Sequence, residues 1–252
     1  MVLSVVGAGA RAAPVLADSG RLDIPLAAAP VSASSLPTAV PSYAAQPRPQ
    51  PEPTMEPRRR AKLRQQVQPA AARPTVPSFG PGRFVSAKIT GSPAGSGTVV
   101  NFDVRRERNL PVNVNGAART IQSVLNDKRS WRGGGEWEFQ LVRSTRRADV
   151  HVYIATPATT DRLCAPLLTR GELSCQNGNR IVLNAKRWVF GADSYRGDLA
   201  NYRRYLVNHE FGHALGYQHT ECVGNGKIAG IMMQQTKGLD GCRANPWPYP
   251  AN

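Results

Sequence analysis

"NHEFGHALGYQH" (residues 208–219) holds three of the four histidines of this 252-residue chain. His209 and His213 are four residues apart, so on an α-helix they stand one above the other on the same face. The run "YRRYLVNHEFGHALGY" (202–217) places apolar residues at Tyr202, Tyr205, Leu206, Phe211, Ala214 and Leu215. That pattern predicts an amphipathic helix over residues 198–217. Two imidazoles at this spacing can reach one metal ion from a single rigid element. Glu210 sits beside the first histidine, where a carboxylate can hold a water and take its proton. Gly216 can adopt a left-handed conformation and end the helix, letting the chain turn back so that His219 supplies a third ligand. Three neutral nitrogens with an open fourth position make a catalytic rather than a structural zinc site. At this chain's own frequencies of His, Glu and Gly, the full HExxHxxGxxH pattern arises by chance roughly a few times in a million.

His209, Glu210, His213, Gly216 and His219 match the signature of the metzincin metallopeptidases. The resemblance implies Zn2+ held by the three histidines, with Glu210 as general base. Metzincins also place a methionine in a tight turn beneath the ligands. Here "GIMMQQT" (230–236) follows the third histidine, with Met232 the first candidate for that position and Met233 the second. A narrower resemblance covers about residues 84–248. "RSW", "TTDRLCAPLLTRGELSCQNGNRIVLNAKRWV", "YRRYLVNHEFGHALGYQH" and "IMMQQTKGLDGCRANPWP" resemble an actinobacterial family of secreted or membrane-anchored proteins, known as a domain of unknown function. The implied fold is α+β and metzincin/zincin-like, a twisted mixed β-sheet over an active-site helix. Only about twenty residues follow Met232 and they are rich in Gly and Pro, so a very short C-terminal subdomain is expected. Where some metzincins carry an extra tyrosine ligand, this chain has Gln234.

Composition divides the chain. Fourteen of its 21 prolines lie before Gly82, in a stretch rich in Ala, Ser and Gln and nearly devoid of aromatic residues. Such a segment buries too little apolar area to offset its ordering entropy. Residues 14–82 are therefore expected to form a disordered, Pro/Ala-rich basic linker. Residues 83–252 remain as one metzincin-like domain with a single core. Residues 1–13 contain a short apolar run and an Ala10-Arg11-Ala12 step that resembles a cleavage site. No basic residue precedes the run, so it reads as an incomplete signal or leader segment. It is too short to span a membrane, and no other segment qualifies as a transmembrane helix.

All four cysteines, Cys164, Cys175, Cys222 and Cys242, fall in the domain. Their even number and loop-like surroundings predict two disulfides and an oxidising compartment. Three pairings can be drawn; sequence-local pairing, Cys164–Cys175 with Cys222–Cys242, is favoured. Cys222 as a further metal ligand is the lesser reading, since three histidines already serve.

Strands are predicted at "GTVVNFDVRRE", "WEFQLVR", "DVHVYIAT" and "RIVLNAKRWVF", and a helix at "GAARTIQSVLND". By order along the chain, "GELSCQNG" (171–178) is the candidate for the antiparallel edge strand that lines a metzincin cleft and pairs with an extended substrate. His151, the one histidine outside the motif, lies in a strand candidate and reads as structural.

The expected function is a secreted or cell-surface zinc-dependent endopeptidase that hydrolyses peptide bonds of a peptide or protein substrate with zinc-activated water. The chain carries a formal net charge of +15, including "RRRAKLR" (58–64), and residues 83–252 hold 23 basic against 13 acidic side chains. Basic surfaces favour anionic polymers, so an anionic cell-envelope polymer is a second candidate partner. The alternative function is accordingly a zinc-containing cell-wall-binding module with weak or no catalysis. Such a module has no need of the carboxylate that Glu210 retains. A third reading directs the zinc chemistry at a non-protein amide such as a peptidoglycan crosslink. Nucleic acid is not an expected partner, and the chain is expected to be a monomer.

Overall fold

The computed structural model describes residues 74–143 and 145–250, all within one compact unit. The leader expected over 1–13, and the linker expected over 14–82 as far as residue 73, lie outside the described residues.

The alternating stretch Thr98–Glu107 forms the longest strand, β2, and sends Phe102 and Val104 into the core. Its end pairs antiparallel with β1 (Phe84–Ser86). Its first half runs parallel to β3 (Trp137–Leu141) and its second half parallel to β4 (Val150–Ala155). β4 continues in parallel to β6 (Arg180–Asn184), and β5 (Cys175–Asn177) closes this side as an antiparallel edge. Among the described residues the sheet is thus mixed and six-stranded, with four α-helices beside it: α1 (Val114–Leu125), α2 (Pro157–Cys164), α3 (Ala185–Phe190) and α4 (Leu199–Ala214). The α+β expectation and all four predicted β regions are met in outline. So is the placement of the edge strand inside "GELSCQNG".

Helix α1 starts where the Asn113 side chain accepts from Gly116 N at 2.8 Å, which satisfies one of the open first-turn donors. Its apolar face, with Ile121 and Leu125 fully buried, covers the sheet. Gln122 then bonds the main chain of β3, donating to Phe139 O at 3.0 Å and accepting from Leu141 N at 2.7 Å.

Three expectations need correction. "RIVLNAKRWVF" is strand only as far as Asn184, whose buried side chain accepts from Lys186 N at 2.9 Å and starts α3. An N-cap outweighs the β-branched composition of the run. Between β4 and Cys164 stands a helix that was not expected, α2, begun by Pro157 in the first turn, where a missing N–H is harmless. Helix α4 is amphipathic only at its start: Tyr205 to Gly212 are all buried, because the sheet covers one side and the C-terminal loops the other.

Residues 74–82, assigned by composition to the linker, lie along the domain. Val76 packs against the core, and Ala158 N donates to Ser78 O at 3.0 Å. The structured unit therefore begins before Arg83. A buried carboxylate provides the anchor. Glu107 accepts from Gly82 N at 2.7 Å, Thr159 Oγ1 at 2.8 Å, Thr156 N at 2.8 Å and Thr156 Oγ1 at 2.9 Å. Burial raises its pKa, but the hydrogen bonds from Thr156, Gly82 and Thr159 outweigh burial and hold the carboxyl below its ordinary 4.5. A group so shifted contributes stability above its unfolded pKa and loses it as pH falls through the folded value. Glu107→Gln presents an NH2 to a cluster of donors and is expected to cost about 1–3 kcal/mol in chemical denaturation at pH 7. The gap to wild type should narrow as pH is lowered below about 4; an unchanged gap would show that the charge of Glu107 is not the source.

Candidate metal centre

Asp198 caps α4, its side chain accepting from Asn201 N at 3.0 Å. Sixteen residues later the helix closes with Gly216 N bonded to His213 O at 3.0 Å and Tyr217 N to Gly212 O at 2.9 Å. This paired closure needs a left-handed residue after the cap, and Gly216 supplies it at φ 93°. The chain then turns back and brings His219 to the two helical histidines, as the sequence predicts.

The ring nitrogens of His209, His213 and His219 that face one another all lie within 4.8 Å. Two of the three rings are oriented by backbone carbonyls. His209 Nδ1 is 3.0 Å from Ile231 O, and His213 Nδ1 is 2.9 Å from Tyr217 O. A carbonyl can only accept, so each Nδ1 carries the proton and each Nε2 presents its lone pair to the cluster. His213 Nε2 stands 3.0 Å from His219 Nε2. Two nitrogens bound to one tetrahedral ion at about 2.05 Å would be about 3.3 Å apart. Burial pushes the pKa of His209 down to about 3, opposed by its bond to Ile231. Burial also lowers His213 and His219. All three are therefore held neutral, the form that binds a metal. Three close histidines can hold one metal ion.

Glu210 is buried, and its Oε2 has no hydrogen-bond partner. Burial pushes its carboxyl up to about 8. An unpaired buried carboxylate is costly, whereas a nearby cation lowers its pKa again. Glu210 lines the same cleft as the three lone pairs, and its unpaired carboxylate fits a site that holds a cation.

Below the helix, Met232 packs against Gly212, while Met233 joins a separate small cluster with Ala229 and Cys242. A Cβ at Gly212 would collide with Met232 Sδ and stand 2.7 Å from Trp131 Cζ2. Met232, the first candidate, is thus the methionine that underlies the histidine helix. The turn that carries it is tied to α4 by Tyr205 and Tyr202, read from sequence only as apolar, and to the loop before α4 by Tyr195. Tyr205 OH donates to Met233 O at 3.1 Å, Tyr195 OH to Gln235 Oε1 at 2.9 Å, and Tyr202 OH lies 3.1 Å from Thr236 Oγ1. Gln235, fully buried, passes the bonding on to Gly230 O and Asn245 O at 3.1 and 2.8 Å. Sequence reasoning missed Gly212, Gln235 and Asn245. A polar residue in a Pro-rich tail carries no periodic signal of burial.

Both disulfides are the sequence-local pairs, Cys164–Cys175 and Cys222–Cys242, which removes Cys222 as a metal ligand. The first holds the start of the edge strand to α2; the second clips the loop beyond His219 to the tail. Two disulfides fit an extracellular protein. No helix among the described residues is long and apolar enough to cross a membrane. His151 lies on β4 with Nδ1 2.6 Å from Asp103 Oδ1 and Arg105 beside it, a structural pair apart from the cluster.

The three histidines and Glu210 open into a cleft of about 450 Å³. Ser174, Cys175 and Gln176 of the edge-strand segment line it, as do Leu167 and Leu168 of the loop before it, and Gln234 and Lys237. A family model described as "Protein of unknown function (DUF3152)" matches residues 72–241. The chain belongs to this family. The match spans every strand and helix described above, the histidine cluster and Met232, and it begins close to the first described residue. This agrees with the resemblance to an actinobacterial domain of unknown function. No curated protein and no solved structure matches the chain.

Two outcomes are expected of this centre. Titration of the apo protein with a divalent metal should saturate at one equivalent, and His209→Ala or His213→Ala should weaken binding at least about 100-fold. Gly212→Ala should lower stability by about 1–3 kcal/mol through overpacking against Met232 and Trp131, read from the thermal midpoint. A neutral effect would mean that these two side chains do not hold the helix in place.

Proposed function

We propose that this chain is a secreted or cell-surface zinc-dependent endopeptidase of the metzincin type. The observation that carries the reading is the joint placement of three convergent imidazole nitrogens and an unpaired buried carboxylate in one cleft beside an antiparallel edge strand. The ligands are all nitrogen and suit tetrahedral coordination, which favours zinc. A bound zinc would act as a Lewis acid that polarises a peptide carbonyl and acidifies water.

The chain's own residues supply the rest. β5 pairs on one side with β6 only, and its other edge faces the cleft, where an extended peptide can bond as an added strand. That alignment brings a peptide carbonyl over the histidines. Glu210 Oε2, free of protein partners, accepts a proton from the attacking water and returns it to the leaving amine nitrogen. The carbonyl bonds of His209 and His213 keep their rings fixed during these transfers. Met232 acts as the Met-turn residue, and its part is packing rather than chemistry.

Glu210→Gln keeps size and burial but cannot accept the proton. It is expected to retain the metal and lose at least about 100-fold in kcat, measured on a broad peptide library with the metal-loaded full chain. Equal turnover by the variant would remove Glu210 as the base. Metal binding without cleavage of any peptide would redirect the chemistry to another amide, such as a peptidoglycan crosslink.

A further inference from the structure

The loop 165–174 between α2 and β5 is braced at almost every turn. The Cys164–Cys175 disulfide joins its two ends. Inside it, the Asp161 carboxylate accepts from Thr169 Oγ1 and from Gly171 N, the latter at 2.7 Å. Thr169 is buried, and its carbonyl accepts from Glu172 N and Leu173 N at 2.9 and 3.1 Å. Asn177 Nδ2 donates to Ala165 O at 2.9 Å and Asn184 Nδ2 to Gly171 O at 2.9 Å. Glu172 is pinned from outside by Lys186 at 2.5 Å and Arg187 at 2.6 Å.

This rigid loop presents two bare leucines. Leu167 is 51% exposed and Leu168 79% exposed, so neither contributes much to the core. Both line the cleft that holds the histidines and Glu210. The fold has no use for apolar side chains held in water on so well-braced a loop, whereas a ligand that covers them gains their burial. Among the described residues, the only charged side chains lining the cleft, the imidazoles apart, are Glu210, which is buried, and Lys237, whose Nζ donates to Gln234 Oε1 at 2.8 Å. A cationic ligand therefore finds no exposed carboxylate there, and an anionic one finds a lysine.

We propose that Leu167 and Leu168 form an apolar recognition subsite that selects extended peptides carrying a bulky apolar residue beside the bond to be cut, and that disfavours basic ones. This rests on the peptidase reading and assigns its substrate class. The loop sets the position of the two leucines in advance, so ordering them on binding has little entropic cost. Selectivity then comes from apolar area covered at the rim rather than from a closed pocket.

The test uses the metal-loaded full chain and peptides that differ at one position as Leu, Phe, Ala, Asp or Lys. Cleavage is followed as kcat/KM, and equilibrium binding is measured separately on the Glu210→Gln variant. The Leu and Phe peptides should exceed Ala about tenfold in both measurements, with Lys weakest. In the Leu167→Ser/Leu168→Ser double variant the Leu-to-Ala ratio should fall towards one, whereas the conservative single variant Leu168→Met should retain it. Because both residues are exposed, an unchanged thermal midpoint should accompany the loss. Preference in binding, lost in the double variant, without any cleavage would uphold the subsite and sink the peptidase reading. Cleavage with a preference that the double variant leaves in place would do the reverse. No preference for Leu or Phe, or no peptide binding at all, overturns the subsite.

Discussion

The hydrogen bond from His209 Nδ1 to the carbonyl of Ile231 joins the two halves of this structure. On one side is α4, seated on the sheet by Phe211, whose ring meets Phe102 and Phe139 edge-on at 5.5 Å each. On the other is a stretch of loop with almost no regular structure of its own, held by an isolated bridge, a disulfide, scattered backbone and side-chain bonds and the packing of Met232 and Trp247. The bond fixes the imidazole tautomer and at the same time places the turn that bears Met232. Ring orientation and loop position are thus one constraint. Loosening either would let both drift, since a metal cluster tolerates little displacement of its ligands.

A helix buried on nearly every side is an awkward place for polar side chains, and α4 carries Asn208, His209 and Glu210 in succession. The first two are satisfied. Asn208 accepts from Ser130 Oγ at 2.6 Å and donates to Pro246 O at 2.8 Å, while its carbonyl accepts from Trp131 Nε1 at 2.8 Å. Glu210 is not, and its unpaired Oε2 stands out in a centre otherwise well bonded. Buried polar groups without partners are uncommon because each is costly. Glu210 keeps that cost in the cleft that holds the three neutral imidazoles. The tyrosines of α4 and the loop before it make the opposite bargain: their rings fill the core while their hydroxyls hold the tail.

Several features were legible in the chain. The spacing of His209 and His213, the helix stop at Gly216 and the return of His219 are local, and each is set by backbone geometry within a dozen residues. The alternation of β2 and the sequence-local disulfides are local in the same sense. Other features were not legible. Asn184 ends a strand by capping a helix, which the β-rich run around it conceals. Residues 74–82 look like linker by composition, yet the buried carboxylate of Glu107, the packing of Val76 and the carbonyl of Ser78 tie them to the domain. Gly212 is needed because Trp131 and Met232 meet there from distant parts of the chain, and no local pattern announces such a meeting. Leu167 and Leu168 are exposed, which their apolar character does not announce.

The sequence by itself determined the identity and spacing of the three histidines that can hold a metal ion, the existence of a helix to carry two of them, and the pairing partners nearest to hand for its cysteines. These follow from helical pitch, glycine's tolerance of positive φ and the short reach of a disulfide. Tertiary structure alone decided which nitrogen of each helical imidazole faces the cluster, that Glu210 lies unpaired rather than bonded, and which methionine underlies the helix. It also decided that the edge strand and its leucine loop share one cleft with the histidines. Those outcomes depend on carbonyls, rings and strands brought together from far along the chain. Spacing along a sequence sets which groups are available, and only packing sets which of them meet.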